Sequence, residues 1–158
     1  MKLTLVAVGG IRGPLEPGIR EYLDRASRYW KFEVVEVDAG APGRNPAPER
    51  VRRDEADRIA ARIPDGGEFW ILTREGKGLS SPDWAHALAD RALHGGRDLS
   101  LVIGGAFGFD PALLQGAARR ISLAHVTLPH ELARLVLLEQ LYRAGTILRN
   151  EPYHKGSP

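Results

Sequence analysis

Apolar positions along the chain recur with a period near two and a period near 3.6 in alternating segments. Lys2 to Val8 alternates loosely and is rich in Leu and Val, as a strand is, while Glu16 to Tyr29 carries Ile19, Tyr22, Leu23 and Ala26 at helical spacing. Phe32 to Val37 is a second β-branched run, so the first third of the chain predicts a βαβ unit. Ala39 to Pro48 has the Gly, Pro and Asn content of a loop, and Glu49 to Ile63 reads as a charged helix with Val51, Ile59 and Ile63 facing inward. Pro64-Asp65-Gly66-Gly67 ends that helix. Glu68 to Thr73 then predicts a third strand, Ser81 to Leu93 a helix with Ser81 as N-cap and Pro82 as first helical residue, and Asp98 to Ile103 a fourth strand. A short helix over Pro111 to Ala118, a fifth strand over Ile121 to Leu128 and a long helix over Glu131 to Leu148 complete the pattern. The alternation predicts an α/β fold, a parallel sheet flanked by helices, with ligands beyond the carboxyl ends of the strands.

The last helix departs from a simple core-facing pattern. At 100° per residue, Leu137, Leu138, Leu141, Ala144 and Gly145 fall on either side of Arg134, which puts an arginine in the middle of an apolar arc. Burying it requires a carboxylate or anion opposite, or else the face is a site. Leu132 and Val136 lie on the other side among Glu139, Gln140 and Arg143. Apolar residues on two sides predict two contacts, and a second copy of the chain is the simplest second one.

Composition narrows the picture. The 158 residues suit one domain that buries roughly 70% of its unfolded surface, and no repeat, linker or low-complexity tract divides 1–158. The absence of cysteine removes disulfides, thiolate metal sites and cysteine nucleophiles. No stretch has the make-up of a signal peptide or approaches the ~20 apolar residues of a membrane span, so the expectation is a soluble cytoplasmic protein. Net charge is only +2, with a pI near 9.1. From Gln115 onward six cations face three carboxylates, leaving +3 there and −1 elsewhere, a mild asymmetry compatible with a polyanionic partner.

Two glycine clusters follow strands. Val8-Gly9-Gly10-Ile11-Arg12-Gly13 matches the last two glycines of a dinucleotide fingerprint but puts Val8 at the tight-turn position, so it reads as a turn; Asp38 would be the matching ribose acid. Ile103-Gly104-Gly105-Ala106-Phe107-Gly108 fails at the same place, yet offers bare backbone at a strand's carboxyl end, followed by a helix that Asp110 would cap. The segments Thr73 to Ser81 and Leu128-Pro129-His130 would lie on the same sheet edge. His130 would stand at the N-terminus of the long helix, whose positive end favours a neutral ring able to accept a proton. His86, His94, His125, His130 and His154 show no ligand spacing for a metal, and no serine sits in a nucleophile elbow.

Several of these motifs carry a resemblance when taken together. Ile103 to Gly108, Ser122-Leu123, Thr127-Leu128-Pro129-His130, Glu139-Gln140-Leu141-Tyr142-Arg143-Ala144 and Pro152-Tyr153-His154-Lys155 occur in this order and spacing in small members of the SPOUT family of methyltransferases. The match also takes in Lys2-Leu3 to Val8-Gly9 and Gly76-Lys77 with Ser80-Ser81, and so spans nearly the whole chain. The resemblance implies a C-terminal trefoil knot, which open-sheet rules alone would have argued against. It further implies a homodimer with S-adenosylmethionine in the knot and methyl transfer to N3 of a pseudouridine in 23S ribosomal RNA on the assembled ribosome. By position, Leu72, Gly104, Gly105 and Ala124-His125-Val126-Thr127-Leu128-Pro129 would line the cofactor pocket. Thr73 stands where many relatives carry aspartate, and His125 is also a departure.

Within that reading His130 is the first candidate base for the N3 proton and His154 the second, with Tyr153 stacking on a base or on adenine. Arg134, Arg143, Arg149 and Lys155 would meet RNA phosphates, or carboxylates of a partner subunit. His130 and the tail lie at opposite ends of the helix, which predicts an active site built from His130 of one chain and the tail of another. Two other classes stay open: a nucleotide-binding oxidoreductase using Gly10, Gly13 and Asp38, and a non-catalytic ribosome-binding module.

Overall fold

The computed structural model describes residues 1–95 and 98–155. Five strands form one parallel sheet in the order β2-β1-β4-β3-β5: β1 (Lys2–Val8), β2 (Lys31–Val37), β3 (Glu68–Gly78), β4 (Leu99–Ile103) and β5 (Arg119–Ser122). Five α-helices connect and follow them: α1 (Glu16–Ala26), α2 (Pro48–Ala60), α3 (Ser81–Asp90), α4 (Pro111–Gly116) and α5 (His130–Leu148). A π-helical turn, Arg91–Gly95, extends α3, and a 3-10 turn, Pro152–His154, follows α5.

The period-two pattern splits the sheet's side chains between two cores. Leu3, Leu5, Ala7, Trp70, Leu72, Leu101 and Ile103 face a layer made by α1, α3 and α5, where Ile19, Trp84, Leu88, Leu137, Leu138 and Leu141 are buried. Val6, Val8, Val37, Ile71 and Val102 face the other way, onto Ile59 of α2 and Leu113 of α4. β4 is buried along its whole length, as a central parallel strand covered on both faces must be. Each fully buried Leu, Ile or Val contributes about 1.5–3 kcal/mol of transfer free energy, so these two clusters supply most of the driving force for folding.

Several boundaries differ from the sequence pattern, and those of β3, β5 and α3 bear on the site. β3 runs to Gly78 rather than Thr73, because Lys77 and Gly78 pair with Ile121 and Ser122 after a register shift that skips the residues between Leu72 and Lys77. Gly76 permits this: a Cβ there would lie 2.5 Å from the backbone of Ile121. β5 starts earlier and stops at Ser122 instead of Leu128, so His125 is not in a strand. The Ser122 hydroxyl donates to the Ala124 carbonyl at 2.7 Å, and the chain leaves the sheet there. The N-cap of α3 is Ser80, not Ser81. Its hydroxyl accepts from the Asp83 amide while the Asp83 carboxylate accepts from the Ser80 amide, a capping box. The Ser80 hydroxyl also donates to the Asp83 carboxylate at 2.7 Å and, with the Ser80 amide, holds the Asp83 carboxyl below its ordinary value.

The long helix ends by a defined device. Asn150 adopts φ 54°, its amide donates to the Ile147 carbonyl at 3.0 Å, and the Glu151 amide donates to the Thr146 carbonyl at 2.9 Å. Asparagine tolerates this left-handed position, which reverses the chain and sends the tail back along α5.

Candidate active site at the carboxyl edge of the sheet

The loops after β3, β4 and β5 meet at one edge of the sheet, around a cavity of about 820 Å³. It is lined by Leu72 to Glu75, Ile103 to Phe109, Ser122 to Ala124, Val126 to His130, and Ala133. Of the residues expected to line a pocket, Leu72, Gly104, Gly105, Ala124, Val126, Thr127, Leu128 and Pro129 do so, and His130 stands beside them. His125 does not line it and is exposed.

Local structure explains why this edge is open. Gly104 and Gly105 leave β4 with no room for side chains: a Cβ on Gly104 would lie 2.8 Å from the Phe109 ring, and one on Gly105 would lie 2.7 Å from Glu55 Oε2. Gly108, with φ 78°, closes the loop, and its amide donates to the Gly105 carbonyl at 3.2 Å. Asp110 then caps α4 through the Ala112 amide at 2.9 Å. Residues 123–129 belong to no helix or strand, so most of their backbone N–H and C=O groups are left for a ligand or water. Arg74 Nη1 donates to Thr127 Oγ1 at 3.3 Å and ties the β3 loop to this segment. Beside it, the Thr73 hydroxyl donates to Glu75 at 2.8 Å, which holds the Glu75 carboxyl below its ordinary value.

His130 is the first residue of α5 and is exposed, with Pro129 as N-cap. Its Nε2 lies 3.8 Å from where a Cβ on Gly9 would stand, so the turn after β1 abuts the imidazole. The Arg12 amide donates to Glu131 Oε1 at 3.3 Å from the same turn. Gly9 and Gly13 take φ of 84° and 102°, as tight-turn glycines do, and neither lines the large cavity.

Arg134 is 1% exposed and cannot face RNA phosphates in this arrangement, a correction to its expected role. Its Nη1 donates to Glu36 Oε1 at 2.8 Å and its Nη2 to the Gly9 carbonyl at 3.0 Å. The carboxylate that the apolar arc demanded is therefore on β2 of the same chain.

The tail packs away from the cavity. The Tyr153 hydroxyl donates to Glu139 Oε1 at 3.1 Å and lies 3.3 Å from the Tyr22 hydroxyl. Its ring packs against Tyr142 with centroids 4.5 Å apart and planes tilted by 53°, and the Arg143 guanidinium lies 4.9 Å from its centroid. Burial and these bonds push the Tyr153 phenol well above its ordinary value, so it keeps its proton. Arg143 also donates to Glu139 at 2.6 Å, and Arg149 lies 4.7 Å over the Tyr29 ring. His154 Nδ1 is buried with no hydrogen-bond partner among the described residues, and Lys155 is exposed. The tail reaches back to Glu139, nine residues from His130, or about 13 Å along the helix axis at 1.5 Å per residue.

Phe107, Phe109, Arg74 and Glu75 were missed as cavity residues. An exposed phenylalanine inside a glycine-rich turn after a strand was the available signal for Phe107. For Arg74 and Glu75 the signal was only their place in the Thr73 to Ser81 segment, expected at the same sheet edge. Among the described residues no helix is long and apolar enough to cross a membrane, and no group of three or more His, Asp or Glu could hold a metal ion.

Comparisons with known proteins agree with the architecture. A protein from Gemmatimonas aurantiaca named Ribosomal RNA large subunit methyltransferase H is 44% identical over 156 residues, 98% of this chain and 100% of the relative. One of the same name from Carboxydothermus hydrogenoformans is 42% identical over 159 residues, again 98% of this chain and 100% of the relative. The crystal structure of a probable rRNA-methyltransferase from Porphyromonas gingivalis superposes with a TM-score of 0.52 at 18% identity, covering 94% of this chain and 70% of that one, which speaks to the fold alone. The family model described as "Predicted SPOUT methyltransferase" matches residues 1–154. With a parallel five-stranded sheet, a glycine-bordered cavity at its carboxyl edge and these full-length relatives, the chain belongs to the SPOUT methyltransferase family.

Proposed function

We propose that this chain transfers a methyl group from S-adenosylmethionine to N3 of a pseudouridine in 23S ribosomal RNA, acting as a homodimer on the assembled ribosome. The observation that carries the reading is the cavity itself, where the exposed backbone of 123–129 and the Gly104-Gly105 turn converge beside His130. Its make-up fits a nucleoside with a charged tail: Leu72, Ile103, Phe107 and Val126 offer apolar cover, and the unpaired backbone groups offer hydrogen bonds. S-adenosylmethionine, when bound, supplies a methyl group on a positively charged sulfur that leaves as a neutral thioether.

The protein's own residues then have two tasks. Leu72, Gly104, Gly105 and the 124–129 segment hold the donor and exclude water, and alignment of this kind is worth on the order of 7–11 kcal/mol in the best intramolecular systems. His130, at the cavity mouth, accepts the N3 proton, because a protonated uracil-type nitrogen is a poor nucleophile; such a base is worth roughly 10²- to 10⁴-fold. Tyr153 keeps its own proton and so serves by stacking and hydrogen bonding, with His154 beside it. Arg143, Arg149 and Lys155 meet RNA phosphates.

Two features support the dimer and the knot. Within one subunit the tail stops about 13 Å short of His130, so a complete site takes His130 from one chain and the tail from another. The chain leaves the edge strand β5, borders the same cavity as the 104–109 turn through 123–129, and returns as α5 against α1 and α3, a route consistent with a trefoil knot. Residues 1–158 act as one unit in this reading.

Calorimetry with S-adenosylmethionine, with NAD as control, is the first test. Binding of the former alone is expected, and binding of NAD alone or of neither sinks the proposal. Mass mapping of ribosomal RNA from a deletion strain then reads the modified position, where one missing methyl group on a pseudouridine is expected.

A further inference from the structure

Glu55 lies on the face of α2 turned toward the glycine loop and is 3% exposed. Its Oε1 accepts the Gly40 amide at 2.9 Å. Its Oε2 is buried with no hydrogen-bond partner among the described residues. A buried carboxylate oxygen without a donor is unfavourable and calls for a reason. What faces it is the backbone of Gly105: a Cβ there would stand 2.7 Å from Oε2 and 2.9 Å from Oε1. The carboxylate thus presses directly under the turn that borders the cavity.

The neighbouring residues of α2 make the same pair of connections. Arg52, one turn before, reaches the Phe107 carbonyl from Nη1 at 3.5 Å, the far limb of the glycine loop. Arg58, one turn after, donates from Nη1 to the Asp38 and Gly40 carbonyls at 2.8 and 2.7 Å. Three residues on one helical face therefore bracket the β2–α2 loop and the glycine loop together. The bond to Phe107 is at the outer limit of hydrogen-bond length and the Glu55 oxygen beside it is unpaired, so the bracket is closed on the Gly40 side and open on the cavity side.

We propose that Glu55 is the positioning residue of the glycine loop: its free oxygen accepts a backbone N–H from the Gly105–Phe107 segment when the cofactor cavity is filled. Filling the cavity thereby draws the glycine loop onto α2 and tightens the β2–α2 loop, which the Gly40 amide already ties to the same carboxylate. A glycine at 105 is needed because any side chain would occupy the space between loop and carboxylate. This rests on the cavity taking S-adenosylmethionine.

The test uses the full chain, calorimetry and amide hydrogen exchange. In the natural chain, S-adenosylmethionine is expected to slow exchange of the Gly105–Phe107 amides and of the Gly40 region. Glu55→Gln keeps an acceptor for Gly40 but turns an NH2 toward the loop. It is expected to bind S-adenosylmethionine about tenfold or more weakly, or about 1.4 kcal/mol, to lose the added protection at 105–107, and to unfold at the same temperature as the natural chain without cofactor. Natural affinity and natural protection in Glu55→Gln overturn the proposal, as does a weakened affinity matched by a lowered unfolding temperature without cofactor. Unchanged exchange at 105–107 in the natural chain, with heat of binding still seen, overturns it too and needs no variant. No heat with S-adenosylmethionine overturns the cofactor assignment itself and this inference with it.

Discussion

Arg134 Nη1 donates to Glu36 Oε1 at 2.8 Å across the space between α5 and β2, with the arginine side chain 1% exposed and the glutamate side chain 43% exposed. The two partners are unequally committed to the pair. Glu36 can hydrate on its open side, whereas Arg134 has only this carboxylate and the Gly9 carbonyl for its terminal nitrogens. Arg134→Ala is therefore expected to cost about 3 kcal/mol, by loss of packing and of both bonds. Glu36→Gln, which keeps an acceptor in a partly screened place, is expected to cost about 1 kcal/mol. Urea unfolding gives both values, and the opposite order would show that the exposed carboxylate dominates. Arg134→Met is expected to leave the salt dependence of ribosome binding unchanged, as befits a residue that touches no phosphate.

The pH dependence of stability should show an alkaline limb set by Tyr29. Its hydroxyl donates to the Glu151 carboxylate, which, with partial burial, pushes the phenol up from 10.0 to about 12. Since the folded state holds this proton more tightly than the unfolded state, the contribution is complete below about pH 10. It is lost as pH rises from 10 to about 12. Urea midpoints across that range are expected to fall, and Tyr29→Phe is expected to flatten the part of the slope that this group contributes. An equal slope in the variant would assign the limb elsewhere, with Tyr153, raised mainly by its burial and its bond to Tyr22, the next group to remove.

Gly145 is where α5 and Tyr29 meet. A Cβ on this residue would lie 2.3 Å from the ring's Cγ, so Gly145→Ala must displace the tyrosine even though alanine is the better helix former. A net loss of about 1–2 kcal/mol is expected from overpacking set against helix propensity. Faster amide exchange in the tail is expected as well, because Tyr29 holds Glu151 and stacks under Arg149. A gain in stability would mean the ring moves freely.

His130→Ala is expected to slow single-turnover methylation by roughly 10²- to 10⁴-fold while S-adenosylmethionine binding holds. A rate equal to the natural chain's would remove His130 from the role of base. Mixed dimers extend the test: a His130→Ala chain paired with a chain truncated after Asn150 should recover about one working site per dimer. No recovery would mean that each chain completes its own site.

Much of the fold was legible because period and burial coincide. The arc around Arg134 is buried as its spacing required, and the alternation in β1 sorts Leu3, Leu5 and Ala7 onto one face and Val6 and Val8 onto the other. What the pattern could not carry was pairing that depends on a distant strand. Lys77 and Gly78 look like loop and Arg119 and Arg120 look like surface, yet the first two become strand by pairing with Ile121 and Ser122 and the second two by pairing with Trp70 and Ile71. In the same way Leu123 to Leu128 looked like a strand because Leu123, Ala124, Val126 and Leu128 are apolar, but those four residues line a cavity that only the three-dimensional arrangement creates. The cavity's location was legible from the ends of three strands; its partner Glu55, buried on a helix two elements away, was not.

The outer strands of the sheet decide how copies of this chain can come together. β5 has only four residues, opens with the exposed pair Arg119-Arg120, and has Arg119 4.8 Å over Trp70. β2, at the other margin, exposes Lys31, Glu33 and Glu36. Short length and charge on both margins discourage a further strand from docking, the usual protection against edge-to-edge aggregation. Self-association by sheet extension is thereby disfavoured, and any symmetric pairing falls to helix surfaces such as the one bearing Leu132 and Val136.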